Sequence, residues 1–257
     1  CLVTAAEIKK GSNWMKLSCD SKNSKLFKYI LGDFSDSRAF DKLEEHYDEI
    51  YMIAALVGVN KTLKFPHDVI KVNTLLTMNM IDWAKENSVK RILFASSSEN
   101  YAGTSDLFSL EIPTPEDVPL CISDIRHPRW TYAISKIHGE SAFYHSAKEN
   151  NYECTIVRYQ NIIGPEMGFR HAIPHIVERF RKIKDTKFDI YGHDQTRAFC
   201  FIDDAVRGTV GAMESDKSVS QIYHIGNDEE ISMAELTKYI GNLLDYNGEY
   251  EKANTYP

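Results

Sequence analysis

The sequence predicts an α/β fold, a doubly wound parallel sheet with a smaller C-terminal α+β lobe. Short apolar runs alternate with amphipathic helical stretches as far as residue 159, which is the rhythm of parallel βαβ units. After Gly164-Pro165 this rhythm gives way to a mixture of short strands and helices. We therefore expect one domain over residues 1–165 and a lobe over 166–257, with some strands of the lobe returning to the sheet.

Composition supports a globular protein. The 257 residues are 43% hydrophobic and 26% charged, enough to bury a sizeable core. A net charge of −7 argues against a nucleic-acid surface. No signal peptide is visible, and no apolar run is long enough to span a bilayer. The five cysteines are scattered without CxxC spacing, so we expect no metal site, no disulfide framework and a cytoplasmic location.

The first domain is read from its apolar runs and helix signals. Residues 66–87 have apolar side chains at helical spacing, and a second helix contains Tyr132. Asp36 is expected to cap a helix over 38–46. Residues 103–128 hold four prolines, which predicts a long loop. The predicted strands are 1–5, 28–33, 48–55, 91–98 and 154–159, of which the first and third are expected to be buried.

The lobe is read from the same signals. Helices are predicted over 173–183, from Asp203-Asp204 to Met213, and from a Ser232 cap to Leu244. A polar turn is expected over 193–196. The predicted strands are 187–191, 198–202 and 221–225.

Small and polar residues collect at three predicted strand ends. Ala54-Ala55, Ser96 to Glu99, and Tyr159 to Asn161 all fall where a parallel strand finishes. Ligands of such sheets bind at the carboxyl ends of the strands. These three stretches therefore predict a binding site at one edge of the sheet.

Tyr132 and Lys136 stand four residues apart, so a helix places them on one face. A cation near a phenol favours the phenolate, which would make Tyr132 a general base near neutral pH. A chance YxxxK in an amphipathic helix is the plain alternative. The strand-end residues weigh against that alternative.

Four stretches together resemble the extended short-chain dehydrogenase/reductase family, in its nucleotide-sugar epimerase/dehydratase branch. They are Phe94 to Tyr101, Tyr132 to Lys136, Arg158 to Pro165, and Gln195 to Asp204. The resemblance implies a Rossmann-like NAD-binding domain over 1–165 and a mainly substrate-binding lobe over 166–257. It also implies a nucleotide-sugar substrate, NAD as cofactor with NADP left open, and a homodimer formed through a four-helix bundle.

The resemblance also implies residue roles. Tyr132 would take the proton of the sugar 4-hydroxyl while C4 gives a hydride to NAD, Lys136 would bind the nicotinamide ribose, and Ser97 would hydrogen-bond the same hydroxyl. The implied catalytic residues are Tyr132, Lys136, Ser97, Ser98 and Glu99. The implied cofactor residues are Asp33, Phe34, Ala54, Ala55, Asn73, Ser96, Tyr132, Lys136 and Tyr159. The implied substrate residues are Glu99, Asn161, Arg170 and Arg197.

Plain structural roles stay open for several of these residues. Asp33 and one of the three serines could be turn residues. Asn73 could be a solvated helix position, Glu99 a capping carboxylate, and Arg197 a surface ion-pair partner.

The chain departs from the family at its beginning. Leu2-Val3-Thr4 matches the family's first strand, but the glycine-rich turn that would hold the cofactor pyrophosphate does not follow. The sequence could join segments across an unrepresented stretch, be truncated, or have lost dinucleotide binding. We favour the first, because the later motifs are intact.

The reaction is narrowed by Ser97-Ser98-Glu99. This triplet resembles the Thr-Ser-Glu of UDP-glucuronate decarboxylases, as does the sequence around Pro128 and Arg129, so decarboxylation of a UDP-uronic acid is our first choice. GDP-mannose 4,6-dehydratases carry Thr-Ser-Glu too, so 4,6-dehydration and 4-epimerisation stay open. A non-catalytic protein that binds a dinucleotide or a nucleotide-sugar is a further alternative.

Overall fold

The computed structural model describes residues 2–8, 26–165, 167–168, 171–183 and 187–253. The chain forms two compact units. The first unit is Cys1–Arg158 with Gly211–Tyr223, and the second is Tyr159–Val210 with His224–Pro257. No helix among the described residues has both the length and the apolar character that crossing a membrane requires.

Helices and strands alternate along the described chain. The helices are α1 (Val59–Lys64), α2 (Pro66–Glu86), α3 (Ala102–Leu107), α4 (Trp130–Glu149), α5 (Ala172–Lys182), α6 (Ile202–Glu214) and α7 (Met233–Leu243). The strands are β1 (Val3–Glu7), β2 (Phe27–Leu31), β3 (His46–Met52), β4 (Ser88–Ser97), β5 (Glu153–Tyr159), β6 (Ile162–Ile163), β7 (Lys187–Tyr191), β8 (Thr196–Ala198), β9 (Cys200–Phe201), β10 (Ile222–Ile225), β11 (Glu230–Ser232) and β12 (Glu249–Ala253).

The first unit is built on a four-stranded sheet with the order β10-β5-β4-β3. Strands β3 and β4 run parallel, with Met52 opposite Phe94. Helices α2 and α4 pack on each other. Phe94 of β4 and Phe143 of α4 meet in the core with ring centroids 4.9 Å apart. The catalytic-helix candidate α4 is therefore fixed on the central strand β4.

Glycine permits the close approach of α4 to β4. A Cβ atom on Gly139 would lie 2.3 Å from the Phe94 ring, which is far inside van der Waals contact. The missing side chain thus sets the distance between the helix and the strand.

Strands β1 and β2 form a separate parallel pair, with Val3 opposite Phe27. The prediction of a buried first strand was wrong, because Val3 is 50% exposed and no residue of β1 is fully buried. Residues 9–25 follow β1, so Gly11 and the place of a glycine-rich turn lie outside the described residues.

The second unit has its own aromatic core and three small sheets. The pairs are β7 with β12, parallel; β6 with β9, parallel; and β8 with β11, antiparallel. Phe180 and Phe188 stack with centroids 3.8 Å apart. Ser232 begins α7 with a capping box, in which Ser232 and Glu235 each bind the other's backbone N–H, as the predicted cap requires.

The α/β class is confirmed, and several boundaries need correction. The predicted helix over 38–46 is a 3-10 helix, Ser37–Lys42, although Asp36 does cap it. Strand β3 ends at Met52, three residues before the predicted end, and is only partly buried. The predicted loop 103–128 begins with α3. The predicted strand 198–202 is divided into β8 and β9 at Phe199.

Candidate active site

The carboxyl ends of β3 and β4 lie at one edge of the first unit's sheet, because the two strands are parallel neighbours. Ala54 and Ala55 follow β3, while Ser96 and Ser97 finish β4. Helix α4, which carries Tyr132 near its N-terminal end, packs on β4. The predicted strand-end residues of this unit are thus brought together.

Tyr132 is half-buried, and Ser97 is the hydroxyl side chain beside its phenol. Burial raises the pKa of Tyr132, the neighbouring Ser97 opposes the rise, and the charge of Glu99 adds to it. A phenol paired with a hydroxyl is the arrangement in which a proton can pass between a substrate hydroxyl and the tyrosine.

Lys136 is 4% exposed and its Nζ donates a 2.6 Å hydrogen bond to the Ala95 carbonyl. The ammonium also lies 4.9 Å from the centroid of the Phe94 ring and 6.0 Å from that of Tyr132. Burial lowers the pKa of Lys136 to about 8, and the charge of Glu140 opposes that change. We expected this cation to lower the pKa of Tyr132. That effect stays a prediction, because burial is the largest influence on the pKa of Tyr132 and the ammonium donates to the Ala95 carbonyl.

Ser97 has two roles at the end of β4. Besides lying beside Tyr132, it accepts at Oγ a 3.2 Å hydrogen bond from the Glu99 backbone and so caps the 3-10 helix Ser98–Tyr101. The Glu99 carboxylate accepts a 3.2 Å hydrogen bond from Arg129, and both side chains are nearly half exposed. Glu99 is therefore held by an ion pair beside the Tyr132 helix, while Ser98 opens the 3-10 helix.

Asn73 fixes the segment that follows β3. Its Oδ1 accepts from the Leu56 N–H at 2.7 Å, and its Nδ2 donates to the Leu56 carbonyl at 3.2 Å and to Ser135 Oγ at 3.1 Å. Asn73 is buried, so a solvated helix position is excluded. Through Ser135 the same side chain links α2 to the helix of Tyr132.

The other predicted cofactor residues of this unit lie in the turn after β2 and at the end of β4. Asp33 accepts hydrogen bonds from the backbone and hydroxyl of Ser35 in the turn after β2, and Phe34 packs edge-on against Phe40 at 5.0 Å. The buried Ser96 hydroxyl donates to Glu140. Their contacts with a cofactor stay predictions.

A cavity of about 520 Å³ lies within the second unit. Asn161 and Arg197 both line it. Asn161 adopts a φ of 34°, and its amide donates to the Ala198 carbonyl at 3.0 Å. Arg197 donates to the Thr196 carbonyl at 2.7 Å and to Gln195 at 3.2 Å. Arg170 lies outside the described residues.

Tyr159 also belongs to the second unit. Its hydroxyl is 2.7 Å from Thr209 Oγ1. Burial raises the pKa of Tyr159, and the hydrogen bond with Thr209 opposes the rise. A cofactor contact at Tyr159 stays a prediction.

Sequence reasoning did not identify His175 and Arg179, two side chains that α5 adds to the cavity. His171, His175 and Arg179 follow one another at intervals of four residues and all line it. Basic side chains repeated at intervals of four residues on one helical face indicate an anion-binding site, and this spacing is visible in the sequence. Within the described part of the chain, no group of three His, Cys, Asp or Glu side chains is arranged to hold a metal.

Comparison with known proteins gives one consistent family. The sequence model of the NAD dependent epimerase/dehydratase family matches residues 3–226. GDP-mannose 3,5-epimerase of Arabidopsis thaliana is 29% identical over 236 residues, which are 89% of this chain and 60% of the relative. UDP-N-acetyl-alpha-D-glucosaminuronate decarboxylase of Bacillus cytotoxicus is 31% identical over 212 residues, which are 81% of this chain and 63% of that relative.

Among solved structures, UDP-glucuronic acid 4-epimerase of Bacillus cereus has the same fold. It superposes with a TM-score of 0.79 at 21% identity, covering 100% of this chain and 79% of the other. The chain thus spans about three fifths of the length of the two curated relatives.

Proposed function

The chain belongs to the NAD-dependent epimerase/dehydratase family, and on that premise we propose that it modifies a nucleotide-linked sugar through transient oxidation at C4. The observation that carries the proposal is the Tyr132 phenol beside Ser97, with the Lys136 ammonium 6.0 Å from the centroid of its ring. A pure binding protein does not need this pair, because neither a buried lysine nor a half-buried phenol improves simple ligand affinity without cost.

The family uses NAD, and two features of the first unit fit its nicotinamide half. Ala54 and Ala55 leave the carboxyl end of β3 open to close approach. Lys136 presents a cation with three N–H donors, of which one binds the Ala95 carbonyl. We assign Lys136 to the ribose hydroxyls and the two alanines to the cofactor wall. When held there, NAD would supply the acceptor for the hydride of C4 and the donor for its return.

Tyr132 performs the proton transfer in the proposed reaction. As a phenolate it takes the proton of the C4 hydroxyl, so that loss of the proton and of a hydride converts the alcohol into a ketone. Ser97 holds the phenol oxygen, and the charge of Lys136 favours its ionised form. When the hydride returns, Tyr132 gives its proton back to the C4 oxygen.

The C4 ketone makes a uronic acid a β-keto acid. The bond between C5 and the carboxylate then breaks, carbon dioxide leaves, and a proton is added at C5. Decarboxylation of a UDP-uronic acid is the first choice, with Glu99 as the proton donor candidate. Its ion pair with Arg129 fixes the position of that carboxylate beside the Tyr132 helix.

Epimerisation is the second candidate, and the similarity to GDP-mannose 3,5-epimerase favours it. A C4 ketone also acidifies the neighbouring C–H bonds, so the same Tyr132 chemistry serves either reaction. Water loss in a 4,6-dehydratase would start from this ketone too. The second unit contributes the diphosphate site in each case, through Arg197, Arg179 and Asn161 around its cavity.

The test is a substrate panel read by mass spectrometry. Purified protein with NAD is incubated with UDP-glucuronate, GDP-mannose and several UDP-, CDP- and dTDP-hexoses, beside a Tyr132→Phe control. Loss of carbon dioxide supports the decarboxylase, loss of water supports the dehydratase, and mass-neutral conversion resolved by NMR supports an epimerase. No conversion of any sugar, together with no NAD binding, would contradict the proposal.

A further inference from the structure

A buried ion pair joins the helix that carries Tyr132 to strand β5, and the proposed reaction does not use it. Glu140 of α4 is 6% exposed and Arg158 of β5 is 3% exposed. Two hydrogen bonds join them, Nε to Oε1 at 2.8 Å and Nη2 to Oε2 at 2.7 Å. Burying two charges is costly even when they are paired. A contribution to stability alone therefore does not explain this pair.

The carboxylate of Glu140 also holds the end of β4. Its Oε1 accepts from Ser96 Oγ at 2.5 Å and from Asn100 Nδ2 at 2.8 Å. Asn100 in turn donates to Ser96 Oγ at 3.0 Å. The Ser96 side chain is therefore held from two sides in the protein interior.

The neighbours of Ser96 contact the catalytic pair. On one side the Ala95 carbonyl accepts from Lys136, and on the other Ser97 lies beside Tyr132. Both partners belong to the helix that carries Glu140. One carboxylate thus fixes the strand residue whose neighbours position the two proposed catalytic side chains.

We propose that Glu140, held by Arg158, is the positioning residue of this site, fixing the end of β4 so that Ala95 meets Lys136 and Ser97 meets Tyr132. The inference rests on the proposed function for its effect on turnover. Its effect on Lys136 does not depend on any substrate.

Charged and polar groups from four parts of the chain surround the Glu140–Arg158 pair. Arg158 faces Glu140 from β5 and Lys136 from its own helix. Tyr101 binds Arg158 through its hydroxyl, and the Glu116 carbonyl accepts from Arg158 at 2.9 Å. The Glu140 charge raises the pKa of Lys136 against the effect of burial. Neutralising Glu140 should therefore make Lys136 lose its proton at lower pH.

The experiment compares Glu140→Gln with Glu153→Gln as a matched control. Glu153 of β5 pairs at 2.5 Å with Arg91 of β4, a side chain that is 5% exposed. Acetylation of Lys136 in the NAD-free protein is followed against pH by peptide mass spectrometry. We expect the Lys136 titration to move down by about 1 pH unit in Glu140→Gln and to stay at the wild-type position in Glu153→Gln.

Turnover supplies the second readout. Glu140→Gln should lose kcat about 10-fold or more with KM unchanged and with a shifted pH profile. If Glu140→Gln does not fold, Ser96→Ala removes only the link to the strand, and it should lower kcat with KM unchanged.

The outcomes separate the two proposals. An unmoved Lys136 titration in folded Glu140→Gln, or an unchanged kcat in Ser96→Ala, would overturn the positioning role. A moved titration in a protein that converts no sugar would support the positioning role and reject the proposed function.

Discussion

The side-chain amide of Asn73 and the backbone of Leu56 form a reciprocal hydrogen-bonded pair. Oδ1 accepts from the Leu56 N–H at 2.7 Å, and Nδ2 donates to the Leu56 carbonyl at 3.2 Å. The pair replaces the strand partner that the chain loses when β3 ends at Met52. It thereby holds the segment that carries Ala54 and Ala55 beside α2.

Replacing Asn73 by alanine should weaken both stability and cofactor binding. Two partly buried backbone groups of Leu56 lose their partner and Ser135 loses one of its two, which we expect to lower the free energy of unfolding by about 2 kcal/mol. NAD affinity should fall because the alanine segment is released. Urea unfolding and calorimetric NAD titration measure the two effects.

Asn87→Ala is the control for Asn73→Ala. Asn87 ends the same helix and donates to the Trp83 carbonyl at 2.8 Å, away from the alanine segment. It should lower stability by about 1 kcal/mol and leave NAD affinity unchanged. Equal NAD affinity in all three proteins would refute the role of Asn73.

Lys136→Met should stabilise the protein below pH 8 while abolishing turnover. Burial lowers the pKa of Lys136 from 10.5 to about 8, so the folded state binds fewer protons than the unfolded state between these values. Wild-type stability therefore rises with pH across this window, and the full penalty is present below it. We expect a gain of about 2 kcal/mol at pH 7.

Urea unfolding at pH 7 and at high pH tests the Lys136 prediction. The advantage of Lys136→Met should shrink as pH rises from about 8 towards 10.5, because the folded wild type then holds the lysine neutral and no longer buries a charge. A variant less stable than wild type at pH 7 would show that the hydrogen bond to Ala95 outweighs the burial of the charge.

Local periodicity made part of this fold predictable. Val69, Leu76 and Met80 recur at helical spacing and are buried along α2, and Ser232 carries a capping signal that the structure uses. The tyrosine helix was predictable for the same reason. Signals of this kind act within a few residues, so the sequence contains them directly.

Other features depend on contacts that no local pattern reveals. Strand β12 reads Glu-Tyr-Glu-Lys-Ala and looks like a solvated segment, yet it pairs with β7. Glu140 and Arg158 resemble surface charges in sequence, and only the packing of α4 on β5 buries them together. The direction of the Lys136 ammonium likewise depends on the Ala95 carbonyl, which any residue would offer.

Two glycine substitutions should have opposite effects on stability. A Cβ on Gly139 would lie 2.3 Å from the Phe94 ring, whereas a Cβ on Gly211 meets nothing within 4 Å. Gly211→Ala should raise the free energy of unfolding by about 0.5–1 kcal/mol through helix propensity. Gly139→Ala should lower it by about 1–3 kcal/mol through overpacking.

Thermal unfolding of the two alanine variants provides the measurement. Gly139→Ala should also lower turnover, because it moves α4 away from the strand that carries Ser97. A Gly139→Ala protein as stable and as active as wild type would mean that the helix–strand distance is not fixed by this contact.

Arg197→Ala should weaken nucleotide diphosphate binding without unfolding the second unit. The guanidinium lines the cavity and is held by Thr196 and Gln195. Loss of a charge-assisted hydrogen bond should reduce affinity for UDP or GDP about 10- to 100-fold. The affinity of Arg197→Lys should lie between those of wild type and Arg197→Ala, because lysine retains the charge and loses the two-pronged geometry.

Calorimetry with UDP and GDP measures this effect, with Arg207→Ala as the control. Arg207 is an exposed side chain that pairs with Asp204 on α6 and does not line the cavity. Equal losses of affinity in the two alanine variants would point to general electrostatics instead of a defined phosphate contact.

Tyr132→Phe tests the central claim most directly. The substitution removes the phenol oxygen beside Ser97 and leaves the ring in place. Turnover of the sugar identified by the substrate panel should fall about 10²- to 10⁴-fold, with substrate affinity and NAD binding unchanged. Tyr144→Phe, on the same helix, should match wild type. Near wild-type turnover by Tyr132→Phe would contradict the assignment of Tyr132 as the base.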